Sequence, residues 1–202
     1  MPKAPALADS ATPAGLARMK PLERPLRATP GAALAARFKA AIAAADGVTG
    51  AHCIHEWWMR DELPGNIERA LTQLWERAAA SIPDWLPMRY VDWLPLAYTV
   101  AARFKPATRG RSNLYLVLLD YADRGGEPHG VYVGMSRYSP AERFDQHKAG
   151  IRAAGSVLKR GLEVLPGPTL HLQRVGRAEA AVIEEGLAEA LRAEGLTVEG
   201  GH

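Results

Sequence analysis

The sequence lacks three features that would define its environment: paired cysteines, a long apolar run and the residue pattern of a leader peptide near its start. Cys53 is the only cysteine, so neither an intramolecular disulfide framework nor a cysteine-built zinc site can form. No stretch approaches the ~20 uninterrupted apolar residues of a membrane-spanning helix. The first residues hold no apolar core followed by a cleavage signal, so we expect a cytoplasmic protein with no membrane partner. A length of 202 residues excludes a large multidomain machine.

Positive charge is concentrated near the N-terminal end. Residues 1–39 carry seven basic side chains against two acidic ones, although the net charge of the whole chain is only +3. Prolines restrict the backbone repeatedly in this part, at positions 2, 5, 13, 21, 25 and 30. We therefore predict a disordered basic tail over residues 1–30. Such a tail either stays solvated or contacts phosphates through counterion release.

A helical, tryptophan-rich region is predicted over residues 31–108. Residues 31–45 are strong helix formers with a narrow apolar stripe, and a second helix begins near Pro64 and ends before Pro83. The segment 51–105 contains all five tryptophans. Core packing is the expected role of these rings, with a base-stacking platform or a surface for a protein partner as the alternatives.

One segment of this region brings possible metal ligands together, the run from His52 to Glu56. Met59 stands where the helix of an HExxH metalloprotease has its second histidine. We therefore expect a structural role, or at most loose metal affinity, for these side chains.

Residues 109–202 have the pattern of a small α+β domain. The near-continuous apolar run from Leu114 to Leu119 is typical of a central strand covered on both faces, and a polar hairpin loop follows it. Ser139, Pro140 and Glu142 form the signature of a helix start. The predicted strands span 114–119, 131–134 and 169–175, and the predicted helices span about 139–148, 156–160 and 177–194.

Four residues of the first two strands and the first helix of this domain are candidates for a site. Adjacent antiparallel strands can place Tyr115 and Tyr132 on one sheet face. Gly134, two residues further on, would let a ligand backbone approach. Arg143 and His147 are four residues apart on one helix and can meet one phosphate together. Taken singly, each of these residues is more often structural than catalytic.

Glu184 is the strongest single candidate. It falls inside the apolar arc of the last predicted helix, between Leu191 and Ala188. A carboxylate there must be satisfied by a cation or by hydrogen-bond donors, either a metal ion or Arg143. Mg²⁺ suits the position because it commonly takes one carboxylate, a substrate phosphate and several waters. A structural ion pair is the alternative explanation.

The segment from residue 113 to 202 resembles the GIY-YIG nuclease family. Asn113-Leu114-Tyr115 stands at the Gly-Ile-Tyr position and Tyr132-Val133-Gly134 at the Tyr-Ile-Gly position, followed by Ser136 at a small hydroxyl position. Arg143 matches the helix arginine, His147 matches the His or Tyr one turn later, and Glu184 matches the metal-binding glutamate. From residue 142 onward the chain is similar to uncharacterised bacterial members that also end in Gly-Gly-His.

Three departures from the family pattern accompany these matches. The loop between the two tyrosines is longer than in compact members, and the first tripeptide keeps only its tyrosine. The family's late asparagine has no clear counterpart, and His202 is the candidate to take its place by donating a hydrogen bond.

The resemblance implies a metal-dependent endonuclease that hydrolyses phosphodiester bonds in nucleic acid, most often DNA, on a small three-stranded, mainly antiparallel sheet flanked by helices. Glu184 would hold Mg²⁺ or Mn²⁺, and Arg143 would neutralise charge on the phosphoryl oxygens. Tyr115, Tyr132 or His147 would orient or deprotonate the attacking water, and the sequence leaves all three open.

Residues 109–202 hold twelve basic and twelve acidic side chains, so they do not have the excess positive charge of a strongly basic DNA-binding domain. Local patches could supply affinity, or could simply be solvated helix faces. The alternative functions are a non-catalytic nucleic-acid- or protein-binding module and a hydrolase of another phosphodiester. The candidate substrate-binding residues are Gly134, Ser136, Lys148, Arg152, Lys159, Arg160 and His202.

Overall fold

The computed structural model describes residues 13–201, so His202 and the first twelve residues of the predicted tail lie outside the described residues. The chain divides into two compact units between Asp92 and Trp93. This division lies 16 residues before the boundary predicted after residue 108. Within residues 13–201, no helix is both long and apolar enough to cross a membrane.

The first unit is helical. Helix α2 begins one residue after Pro30, and α4 begins at Pro64, as the sequence predicts. Helix α3 was not predicted; Asp46 caps it by accepting hydrogen bonds from the backbone N–H and the hydroxyl of Thr49. The helices are α1 (Pro13–Arg18), α2 (Gly31–Ala43), α3 (Gly47–Trp58) and α4 (Pro64–Ala78).

Residues 13–30 differ from the predicted disordered tail. They form α1 and a short 3-10 turn at Pro21–Glu23, and the side chains of Leu16 and Leu26 are buried. Arg24 donates two hydrogen bonds, of 3.1 and 2.7 Å, to the buried carboxylate of Glu56. Burial of the two leucines and this charged contact offset the conformational entropy that the segment loses on ordering. The number of prolines does not indicate these tertiary contacts.

Two of the possible ligands in α3, His52 and Glu56, have structural partners. His52 Nε2 lies 3.0 Å from the carbonyl oxygen of Leu16, and Arg60 joins Arg24 on Glu56 at 2.7 Å. The tryptophans are divided between core and surface: Trp58 is buried, whereas Trp75 is 58% exposed.

The second unit contains a mixed four-stranded sheet of order β3-β1-β2-β4, so the α+β class is confirmed. Strands β1 and β2 are antiparallel, β3 is antiparallel to β1, and β4 is parallel to β2. The strands are β1 (Arg109–Asp120), β2 (His129–Ser136), β3 (Gly161–Val164) and β4 (Val198–Gly200).

The strand predicted at 169–175 is wrong. A 3-10 helix at Gly167–Leu172 occupies most of that segment, and Pro168 near its start favours such a turn over a strand. The end of the segment contacts β1 without forming a strand: Val175 makes isolated bridges to Arg109 and Ser112, and the carbonyl oxygen of Arg174 accepts a hydrogen bond of 2.8 Å from the backbone N–H of Gly110. The third strand is β3 instead, and β4 adds a fourth that was not predicted.

Helices surround the sheet. The Ser139–Glu142 capping box begins α6 as predicted, and α8 ends just before Gly195, whose φ is +94°. Tyr115, Val117 and Leu119 of β1 pack with α6 and α7, while α8 contacts β1 and β2. The helices are α5 (Leu94–Ala101), α6 (Pro140–Lys148), α7 (Gly155–Arg160) and α8 (Arg177–Ala193).

Candidate functional site

The β1–β2 register places the two tyrosines on one sheet face, as predicted. Tyr115 lies opposite Gly134, and Val117 lies opposite Tyr132. Because opposite residues of antiparallel strands share a face, the tyrosines are diagonal neighbours. Their ring centroids are 6.0 Å apart.

Gly134 is packed closely against both tyrosine rings. A Cβ built on this residue would lie 2.6 Å from Tyr115 Oη and 2.7 Å from both Tyr115 Cζ and Tyr132 Cε1. The missing side chain thus makes room for the two rings of the protein itself.

His147 is fully buried beside this pair. Its Nε2 lies 2.9 Å from Tyr115 Oη, and its Nδ1 accepts a hydrogen bond of 2.9 Å from the backbone N–H of Ala154. Burial, with the nearby charge of Arg143, lowers the pKa of His147 to about 4. The imidazole is therefore neutral near pH 7.

These contacts set the direction of the hydrogen bonds. A backbone N–H can only donate, so Nδ1 of His147 carries no proton and the single proton of the neutral ring is on Nε2. His147 consequently donates to the Tyr115 oxygen. In this tautomer neither ring nitrogen can take a proton from water, so His147 holds Tyr115 in position and is unsuited to act as a base.

The depressed pKa of His147 predicts a pH dependence of stability. Between about pH 4 and 6.5 the unfolded chain binds a proton on this imidazole that the folded chain does not, so acidification favours unfolding. His147→Gln removes that titration. From pH 7 to pH 4, wild type should lose about 3 kcal/mol more of its free energy of unfolding than this variant, measured by urea denaturation. Equal losses in the two proteins would refute the assignment.

The two tyrosines differ in exposure. Tyr115 is 1% exposed, and burial followed by the neighbouring Tyr132 raises its pKa. Tyr132 is half-buried; burial raises the pKa of Tyr132 too, while a hydrogen bond with Tyr115 opposes the rise and the charge of Glu184 adds to it. Tyr132 is therefore the outer phenol of the pair, and it lies within electrostatic range of Glu184.

Arg143 is held by the loop that follows α6. Its guanidinium donates to Gln146 Oε1 at 3.1 Å and to the carbonyl oxygens of Ile151 and Arg152 at 3.2 and 2.7 Å. These neutral acceptors orient the group without cancelling its positive charge. That charge adds to the lowering of the pKa of His147 and opposes the rise in the pKa of Tyr115.

Glu184 is buried on α8 with 8% of its surface exposed, as its position in the apolar arc predicts. Burial raises its pKa to about 6, opposed by a hydrogen bond from the backbone N–H of Met135. Within residues 13–201 no ion pair involves Glu184, so Arg143, one of its two expected partners, does not pair with it.

This environment fits a divalent cation held by one carboxylate. An ionised carboxylate that is buried without a cation is unfavourable, and a bound cation would remove that cost. The described part of the chain contains no cluster of three or more His, Cys, Asp or Glu residues able to hold a metal. A cation at Glu184 would thus take its remaining ligands from water and a bound phosphate, as Mg²⁺ commonly does.

A cleft of about 690 Å³ borders the site, and four of its lining side chains are arginines. None of the lining residues is acidic, so the cleft suits an anion. Arg137 and Arg177 were missed by the sequence analysis, although each adjoins an element that carries a site residue: Arg137 follows β2 and Arg177 begins α8. The lining residues are Ser112, Met135, Ser136, Arg137, Tyr138, Arg143, Gln146, Ile151, Arg152 and Arg177.

The predicted substrate-binding residues are divided by the structure. Ser136 and Arg152 line the arginine cleft, whereas Lys148, Lys159 and Arg160 do not. Lys148 donates to the carbonyl oxygen of Gly161 at 3.0 Å. Lys159 and Arg160 line a separate depression of about 400 Å³, where Arg160 pairs with Asp123 at 2.6 Å. His202 lies outside the described residues.

Comparison with known proteins adds no relative. No protein-family model, curated protein or solved structure matches this chain.

Proposed function

We propose that the second unit is a metal-dependent endonuclease of the GIY-YIG type that hydrolyses phosphodiester bonds in nucleic acid, most often DNA. The observation that carries the proposal is a group of four side chains on one side of β1 and β2: Tyr115, Tyr132, Arg143 and His147. Glu184 is within electrostatic range of Tyr132, and the arginine-lined cleft borders the group. A buried carboxylate can hold the metal ion, and a positioned guanidinium can stabilise charge on the phosphoryl oxygens.

Each side chain has a distinct role in the proposal. Glu184 would hold Mg²⁺ or Mn²⁺, which supplies Lewis-acid stabilisation of a phosphodiester when bound. Arg143 binds a non-bridging phosphoryl oxygen and stabilises the charge that develops there, because its guanidinium is oriented by neutral acceptors.

Tyr132 is the best placed of the three candidates to orient the attacking water. His147 is locked as a donor by the Ala154 amide, and Tyr115 is buried with its oxygen already accepting a hydrogen bond from His147. Tyr132 is the more exposed of the two phenols, and the charge of Glu184 raises its pKa. Its raised pKa favours a hydrogen-bonding role over full deprotonation.

A cleavage assay with a matched arginine control tests the proposal. Purified protein is incubated with labelled single-stranded, duplex and branched DNA in Mg²⁺, Mn²⁺ or EDTA. Wild type should cut at least one substrate only when metal is present, and Arg143→Gln should lower the rate about 100-fold. Arg103→Gln removes the same charge from an exposed surface ion pair with Glu194, and it should stay within about twofold of wild type.

The outcomes separate the proposed enzyme from the other functions. Binding of DNA without cleavage in either metal would favour the non-catalytic module. An Arg143→Gln enzyme as fast as wild type would remove Arg143 from the site.

A further inference from the structure

One side chain of the arginine cleft is an aromatic ring that is partly exposed and firmly held. Tyr138 lies two residues beyond β2 and is 37% exposed. Its backbone N–H donates to Ser136 Oγ at 3.1 Å, and its carbonyl oxygen accepts from Asn113 Nδ2 at 2.9 Å. Two hydrogen bonds therefore fix the backbone that carries the ring into the cleft.

Arg137 completes this part of the cleft. Its guanidinium carbon lies 5.0 Å from the centroid of the Tyr138 ring, and Nη2 donates to Tyr138 Oη at 2.9 Å. A cation over one face of an aromatic ring pre-positions both groups, so a base stacked on Tyr138 would use the opposite face of the ring.

A second apolar group, Ile151, lines the same cleft and is 56% exposed. The backbone carbonyl of Ile151 also holds Arg143, so this side chain is tied to the cationic group of the site. Phosphate binding needs neither an exposed isoleucine nor an exposed tyrosine. Both become useful when the ligand carries a flat, partly apolar ring next to its phosphate.

We propose that the cleft binds a single unpaired nucleotide, with its phosphate on the arginines and its base stacked on Tyr138. A volume of about 690 Å³ admits a nucleotide. Inside a duplex the faces of a base are covered by its neighbours, so the ring of Tyr138 can reach only a base that is single-stranded or displaced from the stack. The inference rests on the proposed function, which makes nucleic acid the substrate. It adds that the nucleotide bound in the cleft is unpaired.

The test measures binding and does not require cleavage. Fluorescence anisotropy of the full chain in EDTA compares a labelled single-stranded oligonucleotide, an abasic oligonucleotide with the same number of phosphates, and a duplex of the same length. Wild type should bind the base-containing single strand about 5- to 100-fold more tightly than the abasic strand, the range expected for one stacked base.

Substitutions then assign the preference to Tyr138. Tyr138→Ala should weaken binding of the base-containing single strand about 5- to 100-fold and change abasic binding by less than about twofold, while Tyr138→Phe should retain the wild-type preference. Arg177→Gln should weaken binding of both strands by similar factors, because it removes a phosphate contact.

Two results would overturn the inference: equal loss of abasic and base-containing binding in Tyr138→Ala, or wild-type preference for the duplex. Because EDTA prevents metal-dependent cleavage, either result would leave the endonuclease proposal standing. Conversely, absence of cleavage would contradict the endonuclease proposal without affecting the binding test for Tyr138.

Discussion

Glu184→Gln is expected to lower metal-dependent cleavage by about 1000-fold or more. The substitution keeps the size of the side chain and removes the charge that would hold the cation, whose contribution to phosphodiester hydrolysis amounts to several kcal/mol. The measurement is the single-turnover rate on the best DNA substrate in Mg²⁺ and in Mn²⁺. Glu185→Gln is the matched control: Glu185 is the next residue on α8, is exposed, and should give a rate within about twofold of wild type.

The same variant is expected to be more stable than wild type at neutral pH. The pKa of Glu184 is about 6 in the folded chain against 4.5 when unperturbed, so between these pH values the folded state keeps a proton that the unfolded state releases. Stability therefore falls as pH rises through this window, and above it the ionised carboxylate destabilises the fold by about 2 kcal/mol. Glu184→Gln should gain about that amount at pH 8 and nothing at pH 4.

Adding Mg²⁺ should reverse the order of stability. A cation bound at Glu184 stabilises only the protein that retains the carboxylate, so the Tm of wild type should rise with Mg²⁺ while that of Glu184→Gln stays constant. A variant that still cuts DNA, or that is less stable than wild type at pH 8 without metal, would contradict the proposal that Glu184 is a buried metal ligand without an ion pair in the protein.

Gly134→Ala is expected to damage both the fold and the site. The added methyl would lie 2.6–2.7 Å from atoms of Tyr115 and Tyr132, which are held between the sheet and His147 and cannot move freely. Overpacking of this kind costs about 1–3 kcal/mol. Since a displacement of about 1 Å can reduce a rate 100-fold, cleavage should fall by about that factor even at temperatures where the variant remains folded.

Gly155→Ala provides the comparison. Gly155 is the first residue of α7, and a Cβ there would meet no atom within 4 Å. This change should leave cleavage unaltered and stabilise the protein by about 0.4–1 kcal/mol, because it reduces the freedom of the unfolded chain. Both variants are measured by urea denaturation and by the cleavage assay. If Gly134→Ala were as stable as Gly155→Ala, the close packing of the two tyrosines around Gly134 would be wrong.

The elements that the sequence predicts well are those specified by neighbouring residues. The capping box of Ser139 and Glu142 begins α6 at the expected residue, and the apolar arc of α8 places Glu184 among buried side chains. Such features depend on contacts three or four residues apart, and they are therefore visible in a one-dimensional pattern.

Local sequence patterns do not predict the two short strands or the order of residues 13–30. β3 and β4 have four and three residues, too few for an alternating pattern, and pairing with distant strands defines them. Residues 13–30 are ordered by burial of Leu16 and by the contact of Arg24 with Glu56, which follows 32 residues later.

For the candidate site, the sequence by itself determined which side chains are available: two tyrosines on neighbouring strands, an arginine and a histidine one turn apart, and a glutamate on an apolar helix face. Only the tertiary structure decided what each one contacts. The amide of Ala154 sets the tautomer of His147, the rings of Tyr115 and Tyr132 require Gly134, and Arg137 and Arg177 meet in one cleft. Hydrogen-bond direction, steric fit and charge clustering depend on distances between remote residues, and those distances exist only once the chain is folded.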